Sequence, residues 1–94
     1  MLMLMWLVAC GPEGDAANGE ALYAASCVSC HGAGGDLGVE TGGVAAANLQ
    51  EEVPESDDAE LADVIQGGEG AMAPVALDDQ ETADVIAYMR GLWP

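Results

Sequence analysis

The sequence predicts an all-α domain of about three helices, and two features of its patterning support this prediction. Three stretches repeat apolar residues at helical spacing, and each begins next to a residue that caps helices well. No stretch alternates apolar and polar residues as a half-buried strand would, and glycine-rich loops at residues 32–48 and 67–76 separate the helices. At 94 residues and 9.5 kDa, the chain is long enough for one small domain.

The first predicted helix runs from Gly19 to about Cys30, and Asn18 is its predicted cap. Glu20 lies in the first turn, where the positive end of the helix dipole favours an acid. The helical stripe comprises Leu22, Tyr23, Ser26, Cys27 and Cys30. Two cysteines therefore share one face of this helix.

The second predicted helix runs from Asp57 to Gln66, and the pair Gly67–Gly68 ends it. Its apolar face comprises Leu61, Val64 and Ile65. These residues stand three and four positions apart, which is the spacing of one buried helix face.

The third predicted helix runs from about Asp79 to Leu92, with Asp78 or Asp79 as its cap. Its last turn carries Arg90, where the negative end of the helix dipole favours a cation. The apolar stripe comprises Thr82, Val85, Ile86, Met89 and Leu92.

Charge and hydropathy exclude several classes of protein. Seventeen acidic residues stand against one basic residue, Arg90, for a net charge of −16. Nucleic acids and anionic membrane surfaces require Lys and Arg, so neither is a predicted docking partner. Hydrophobic residues make up 51% of the chain, which argues against disorder, and no apolar run reaches the roughly 18–20 residues that span a bilayer. The acids are spread along the chain, which favours solubility or adaptation to high salt over a docking patch, although they could also steer a basic partner.

The first residues form a separate segment. Met1–Ala9 is an apolar stretch of the length typical of the hydrophobic region of a signal peptide. It ends in Leu7-Val8-Ala9, and Cys10 and Gly11 follow. This pattern resembles the lipobox of bacterial lipoproteins, which implies lipidation at Cys10 and a place on the periplasmic side of the cell envelope. We therefore divide the chain into a signal peptide at 1–9, an acidic linker at 10–18 and a domain at 19–94. An ordinary signal peptide or an apolar N-terminal strand are the alternatives.

The motif Cys27-Val28-Ser29-Cys30-His31 indicates covalent attachment of a c-type haem. Two thiols on one helical face can form thioethers to one porphyrin edge, and the adjacent histidine can bind the iron. Chains this short often need a cofactor, because alanine, valine, leucine and methionine alone build a thin core. A thioredoxin-like redox pair, a zinc site or a plain disulfide are the alternatives for the two cysteines.

From Gly19 onward the chain resembles the class I cytochromes c of the small bacterial kind. The likeness rests on the segments Gly19–Tyr23, Cys27–Gly32, Gly68–Pro74 and Val85–Leu92. The resemblance implies three helices around one covalent haem, with the first and last helices crossing at a glycine beside packed aromatics. Gly19, Tyr23 and Tyr88 match those positions. No proline lies between Gly32 and Gly43, so the partner of the haem histidine stays open.

The composition of the chain limits which groups could be the second axial ligand of the iron. His31 is the only histidine and the chain has no lysine, which leaves a methionine, a water molecule or an open site. Met72 lies in a predicted exposed loop rich in glycine and alanine and is favoured, whereas Met89 belongs to a predicted buried helix face. A thioether ligand closes the iron to substrates and so predicts an electron carrier for redox protein partners rather than an enzyme. A five-coordinate haem sensor or enzyme is the alternative, and a haem-free Cys/His metal-binding lipoprotein is a weaker one.

Overall fold

The computed structural model describes residues 13–94, and its helices confirm the all-α class. Five helical segments and one small hairpin follow each other in the order α1, α2, β1, β2, α3, α4, α5. Their bounds are Ala16–Ser26 for α1, Val28–His31 for α2, Glu40–Thr41 for β1, Val44–Ala45 for β2, Leu49–Glu55 for α3, Asp58–Gly67 for α4 and Asp79–Leu92 for α5. Within the described part of the chain, no helix is long and apolar enough to cross a membrane.

The predictions for α4 and α5 are confirmed to within one residue. Asp57 caps α4 and Asp78 caps α5, and each forms a capping box with the glutamate three residues later. In both boxes the aspartate side chain accepts from the glutamate N–H, and the glutamate side chain accepts from the aspartate N–H. Both helix starts are therefore determined by chemistry within four consecutive residues.

The start of α1 differs from the prediction. Asp15 is the cap, because its side chain accepts from the N–H groups of Ala17 and Asn18, and the helix begins at Ala16. Asn18 lies inside the helix and donates its side-chain N–H to Asp84 instead. Residues 13–18, predicted as part of a linker, thus belong to the folded domain. Cys10 and the predicted signal peptide at 1–9 lie outside the described residues.

The hairpin of β1 and β2 and the short helix α3 were not predicted from the sequence. The hairpin pairs Glu40 with Ala45 and Thr41 with Val44, and its turn residues Gly42 and Gly43 both have positive φ. All four strand residues are exposed, so no apolar alternation marks them. Helix α3 contains Pro54 and buries one residue, Val53, which leaves too short an apolar pattern to recognise.

Arg90 stabilises α3 from across the molecule. Its guanidinium donates to the carbonyl oxygens of Val53 and Ser56, at the end of α3, and forms an ion pair with Asp58 at 2.8 Å. The last carbonyls of a helix have no partner within it, and a cation beside them also offsets the helix dipole. The single basic residue therefore caps a neighbouring helix as well as lying at the end of its own.

Helices α1 and α5 cross at very close range, as the family resemblance implied. A Cβ atom on Gly14 would overlap the carbonyl oxygen of Ala83, and one on Gly19 would overlap that of Asp84. The main chains can approach this closely only because both positions lack a side chain. The core beside this crossing comprises Tyr23, Val53, Leu61, Ile65, Val85, Ile86 and Met89.

Candidate cofactor site

The two cysteines and His31 lie where α1 gives way to α2. Helix α1 ends at Ser26, and Cys27 donates its N–H to the carbonyl of Tyr23 at 2.8 Å while accepting from the N–H of His31 at 3.0 Å. Cys27 and Cys30 are partly buried, and neither takes part in a disulfide within residues 13–94. Both thiols are therefore available to bond to a ligand beside the histidine.

His31 has one ring nitrogen committed and one free. The residue is 9% exposed, and its Nδ1 lies 3.0 Å from the carbonyl oxygen of Ala47. A carbonyl oxygen can only accept a hydrogen bond, so Nδ1 carries the proton and donates it. In the neutral tautomer with its proton on Nδ1, the lone pair is on Nε2, which makes no hydrogen bond within residues 13–94. Ala47 is thus the partner of His31 that the sequence had left open.

The segment after His31 is tied back to the motif. Leu37 donates its N–H to the carbonyl of His31 at 2.9 Å, and Val39 donates to that of Cys30 at 3.1 Å. The hydroxyl of Tyr23 donates to the carbonyl of Gly32 at 2.6 Å. Three consecutive carbonyls are therefore satisfied by partners outside α2, which holds the histidine backbone in place.

Aromatic rings pack behind the motif. The ring centroid of Tyr23 lies 5.6 Å from that of Tyr88, in a tilted arrangement, and 6.1 Å from that of Trp93, in an edge-to-face arrangement. Burial, with smaller contributions from the neighbouring Cys27 and Tyr88, raises the pKa of the Tyr23 hydroxyl to about 12. This ring therefore stays a neutral hydrogen-bond donor. The packing of Tyr23 with Tyr88 was expected from the resemblance, whereas that of Trp93 was not.

The surroundings of the cysteines disfavour a zinc site or a reactive dithiol. No cluster of three or more His, Cys, Asp or Glu side chains suited to a metal ion occurs within residues 13–94. Burial, with a smaller contribution from the neighbouring Cys30, raises the pKa of the Cys27 thiol to about 11. Reactive cysteines act as thiolates, which a raised pKa disfavours. A structural zinc site needs four ligands, and the two cysteines with His31 supply three.

The chain's own residues fit a covalently bound haem. Two free thiols and an imidazole with a free lone pair are the groups that c-type attachment uses. Leu37, which lies against Gly32 directly after the histidine, is 58% exposed. The apolar side chains packed on the core without full burial include Val28, Leu49, Val75, Leu77 and Trp93. Such surfaces suit a large, flat, apolar ligand.

The two candidate methionines differ sharply in their environments. Met72 is partly buried in the loop between α4 and α5, where it pairs with Glu69 through two hydrogen bonds of 2.9 and 3.0 Å. Val75 then donates to the carbonyl of Ile65 at 2.7 Å, which fastens this loop to α4. Met89 is 4% exposed and packs in the core. The structure thus assigns Met89 to the core and leaves Met72 on a short, restrained loop.

The chain is similar to known proteins over most of its length. The family described as cytochrome c oxidase, cbb3-type, subunit III matches residues 14–89. Cytochrome c-551 of Bacillus subtilis strain 168 is 35% identical over 77 residues, which is 82% of this chain and 63% of that relative. The chain therefore spans somewhat less than two thirds of the length of this curated relative. No solved structure matches the chain significantly.

Proposed function

Because the chain belongs to the cytochrome c family, whose members bind haem c covalently, we propose that it is a monohaem carrier of single electrons in the bacterial cell envelope. One observation carries this proposal. The hydrogen bond to Ala47 occupies Nδ1 of His31, so Nε2 is the ring atom free to bind iron, and two unpaired thiols accompany it in the same motif.

In the proposed site, Cys27 and Cys30 would hold the haem through thioethers, and His31 would bind its iron. Haem c, when bound, supplies an iron that gains or loses one electron. The carbonyl of Ala47 orients the His31 ring and increases its basicity as a ligand. The hydrogen bonds from Leu37 and Val39 keep the histidine backbone from shifting.

Met72 is the proposed distal ligand. Its loop is short and closed by the pairing with Glu69, which limits the entropy lost when a side chain is held at the iron. Met89 is less suitable, because removing it from the core would expose a buried side chain. A thioether ligand from Met72 would leave the haem iron no open position for a substrate, which favours electron transfer over catalysis.

An absorption spectrum of the haem-loaded protein tests this function. We expect a weak band at the red edge of the oxidised spectrum, typical of iron–methionine ligation, which disappears on reduction. Met72→Ala should abolish the band, whereas Met89→Leu, a volume-conserving core substitution, should retain it. A high-spin spectrum that shifts with carbon monoxide would instead favour the five-coordinate sensor or enzyme. A colourless protein would favour a haem-free metal-binding lipoprotein.

The proposed redox partners are proteins with basic docking surfaces. All 17 acidic residues lie at or beyond residue 13, and the one basic side chain, Arg90, is engaged with Asp58 and two carbonyls. This charge would speed the encounter with a basic partner, and salt would screen the attraction. Electron-transfer rates with such a partner should therefore fall as ionic strength rises, and a rate independent of salt would contradict this part of the proposal.

Lipidation at Cys10 is the proposed means of attachment to the membrane. The apolar stretch 1–9, which ends in Leu7-Val8-Ala9 directly before Cys10, supports it. Mass spectrometry of the mature protein should show a diacylglycerol adduct at an N-terminal Cys10 and cleavage after Ala9. Cys10→Ser should release the protein from the membrane fraction, and a mature chain without lipid would refute the anchor.

A further inference from the structure

The folded domain begins much closer to Cys10 than the sequence indicated. The side-chain N–H of Gln80 donates to the carbonyl of Glu13 at 2.7 Å, and the N–H of Asp15 donates to the Asp84 carboxylate at 2.7 Å. Between them, Gly14 packs directly on the main chain of Ala83. These consecutive residues, 13–15, are therefore fastened to α5, and we call this end of the domain the anchor edge.

Only Gly11 and Pro12 separate Cys10 from the anchor edge. From Cys10 to Glu13 the fully extended chain spans roughly 10 Å, since each residue adds at most about 3.5 Å. A lipid on Cys10 would therefore hold the anchor edge close to the bilayer surface. A free linker up to residue 18 would have allowed the domain far more freedom.

The haem motif lies at the opposite end of α1. The helix starts beside the anchor edge at Ala16 and runs for 11 residues to Ser26, just before Cys27. At 1.5 Å per residue it is about 16 Å long, and α2 with His31 follows it. The anchor edge and the motif are thus separated by the full length of α1.

Charge acts against the domain lying flat on the bilayer. The described residues hold every acid of the chain, and Arg90 offers no free charge to an anionic headgroup because it is paired with Asp58. Acidic side chains near an anionic leaflet are repelled over about a Debye length, roughly 8–10 Å. A domain held at one edge relieves this repulsion by turning its far end toward the water.

We propose that the short tether orients the domain, with the anchor edge toward the lipid and the haem motif toward the aqueous phase. This inference rests on the proposed lipidation and haem binding. Its consequence concerns the partner: electrons are exchanged with a protein domain in the aqueous phase, and a lipid-phase reductant such as a membrane-dissolved quinol has poor access to the haem.

The test uses the full-length, haem-loaded, lipidated protein in phosphatidylglycerol-containing bilayers. One variant carries a Gly-Ser insert of about twelve residues between Pro12 and Glu13, which adds a flexible reach of roughly 20 Å. The matched control carries the same insert between Gly42 and Gly43, where an added Cβ meets nothing within 4 Å. The two readouts are the linear dichroism of the haem in oriented bilayers and the rate of haem reduction by a bilayer-confined quinol, with ascorbate as the water-soluble reference.

We expect the native protein and the hairpin control to give clear dichroism and slow reduction by the quinol. The longer tether should abolish the dichroism and speed quinol reduction several-fold while leaving ascorbate reduction unchanged. Absent dichroism in the native protein, or identical behaviour of all three proteins, would overturn the orientation alone. Absence of lipid in the mass spectrum, or of haem in the absorption spectrum, would instead remove the proposed anchor or cofactor and this inference with it.

Discussion

Nδ1 of His31 donates a hydrogen bond of 3.0 Å to the main-chain carbonyl of Ala47, 16 residues further along the chain. This contact selects the tautomer in which Nε2 is free, and it joins the haem motif to the segment that precedes α3. The next residue, Asn48, caps α3 by accepting from the N–H of Gln50 at 3.0 Å. The position of the Ala47 carbonyl therefore depends on the stability of the capped first turn of α3.

Asn48→Ala should loosen this support. Loss of the cap costs about 0.5–2 kcal/mol of stability, and the Ala47 carbonyl should become more mobile. In proton NMR of the reduced protein, the Nδ1 proton of His31 should exchange faster with solvent. Asn48→Ser, which retains a capping oxygen, is the control. Equal exchange rates in the wild type and both variants would show that the cap does not support the histidine.

Gly19→Ala should strongly destabilise the crossing of α1 and α5. A Cβ at this position overlaps the carbonyl of Asp84, so the helices must separate, at a cost of about 3 kcal/mol. Gly91→Ala is the matched control, because a Cβ there meets nothing within 4 Å, and alanine should stabilise α5 by up to about 1 kcal/mol. Guanidinium unfolding followed by far-UV circular dichroism measures both. A neutral Gly19→Ala would contradict the close crossing.

Asp84 should make part of the domain's stability sensitive to acid. Its carboxylate accepts from the N–H of Asp15 and from the side chains of Asn18 and Gln80, and these bonds, that of Asp15 first, lower its pKa. A lowered pKa in the folded state stabilises the fold above the unfolded-state pKa of about 3.9. This stabilisation is lost as pH falls from there through the folded-state pKa.

Asp84→Asn should therefore lower stability near neutral pH and flatten its decline in acid. An amide offers one acceptor oxygen instead of two and places an N–H toward a donor, so the three hydrogen bonds cannot all persist. Urea unfolding from pH 7 to pH 2 gives the difference. Asp63→Asn, at an exposed position on α4, controls for the removal of one negative charge. If both variants shift the pH profile alike, net charge and not the Asp84 hydrogen bonds explains the effect.

Arg90→Lys should destabilise the domain more than loss of its ion pair does. A lysine cannot reach the carbonyls of Val53 and Ser56 and the Asp58 carboxylate together, so helix-end carbonyls lose donors at a cost of about 1–3 kcal/mol. Asp58→Asn should cost less than about 1 kcal/mol, because Asp58 is 75% exposed and the pair is largely solvated. Thermal unfolding of the two variants compares these costs. The reverse order would mean that the ion pair outweighs the cap on α3.

Interactions between residues close together in the sequence determine the motif, the fold class and two of the helices. The haem motif, the all-α class, and the bounds of α4 and α5 depend on residues within a few positions of each other, such as Asp57 with Glu60 and Asp78 with Glu81. Capping boxes and helical spacing are short-range interactions, so they leave a clear pattern in the chain. The roles of Gly19 and Tyr88 were expected as well, although from family resemblance and not from spacing.

Contacts between distant residues decided the rest. Asp15 and Asn18 are both good caps, and it is the Asp84 carboxylate, 66 positions away, that draws the Asn18 side chain into α1's contact with α5. The partner of His31 is a main-chain carbonyl. Every residue carries such a group, so the residue type at position 47 could not predict this contact. Helix α3 is short, contains Pro54 and depends on Arg90 from another helix. These features could not be predicted from the sequence, because the interactions that stabilise them join groups that only the tertiary fold brings together.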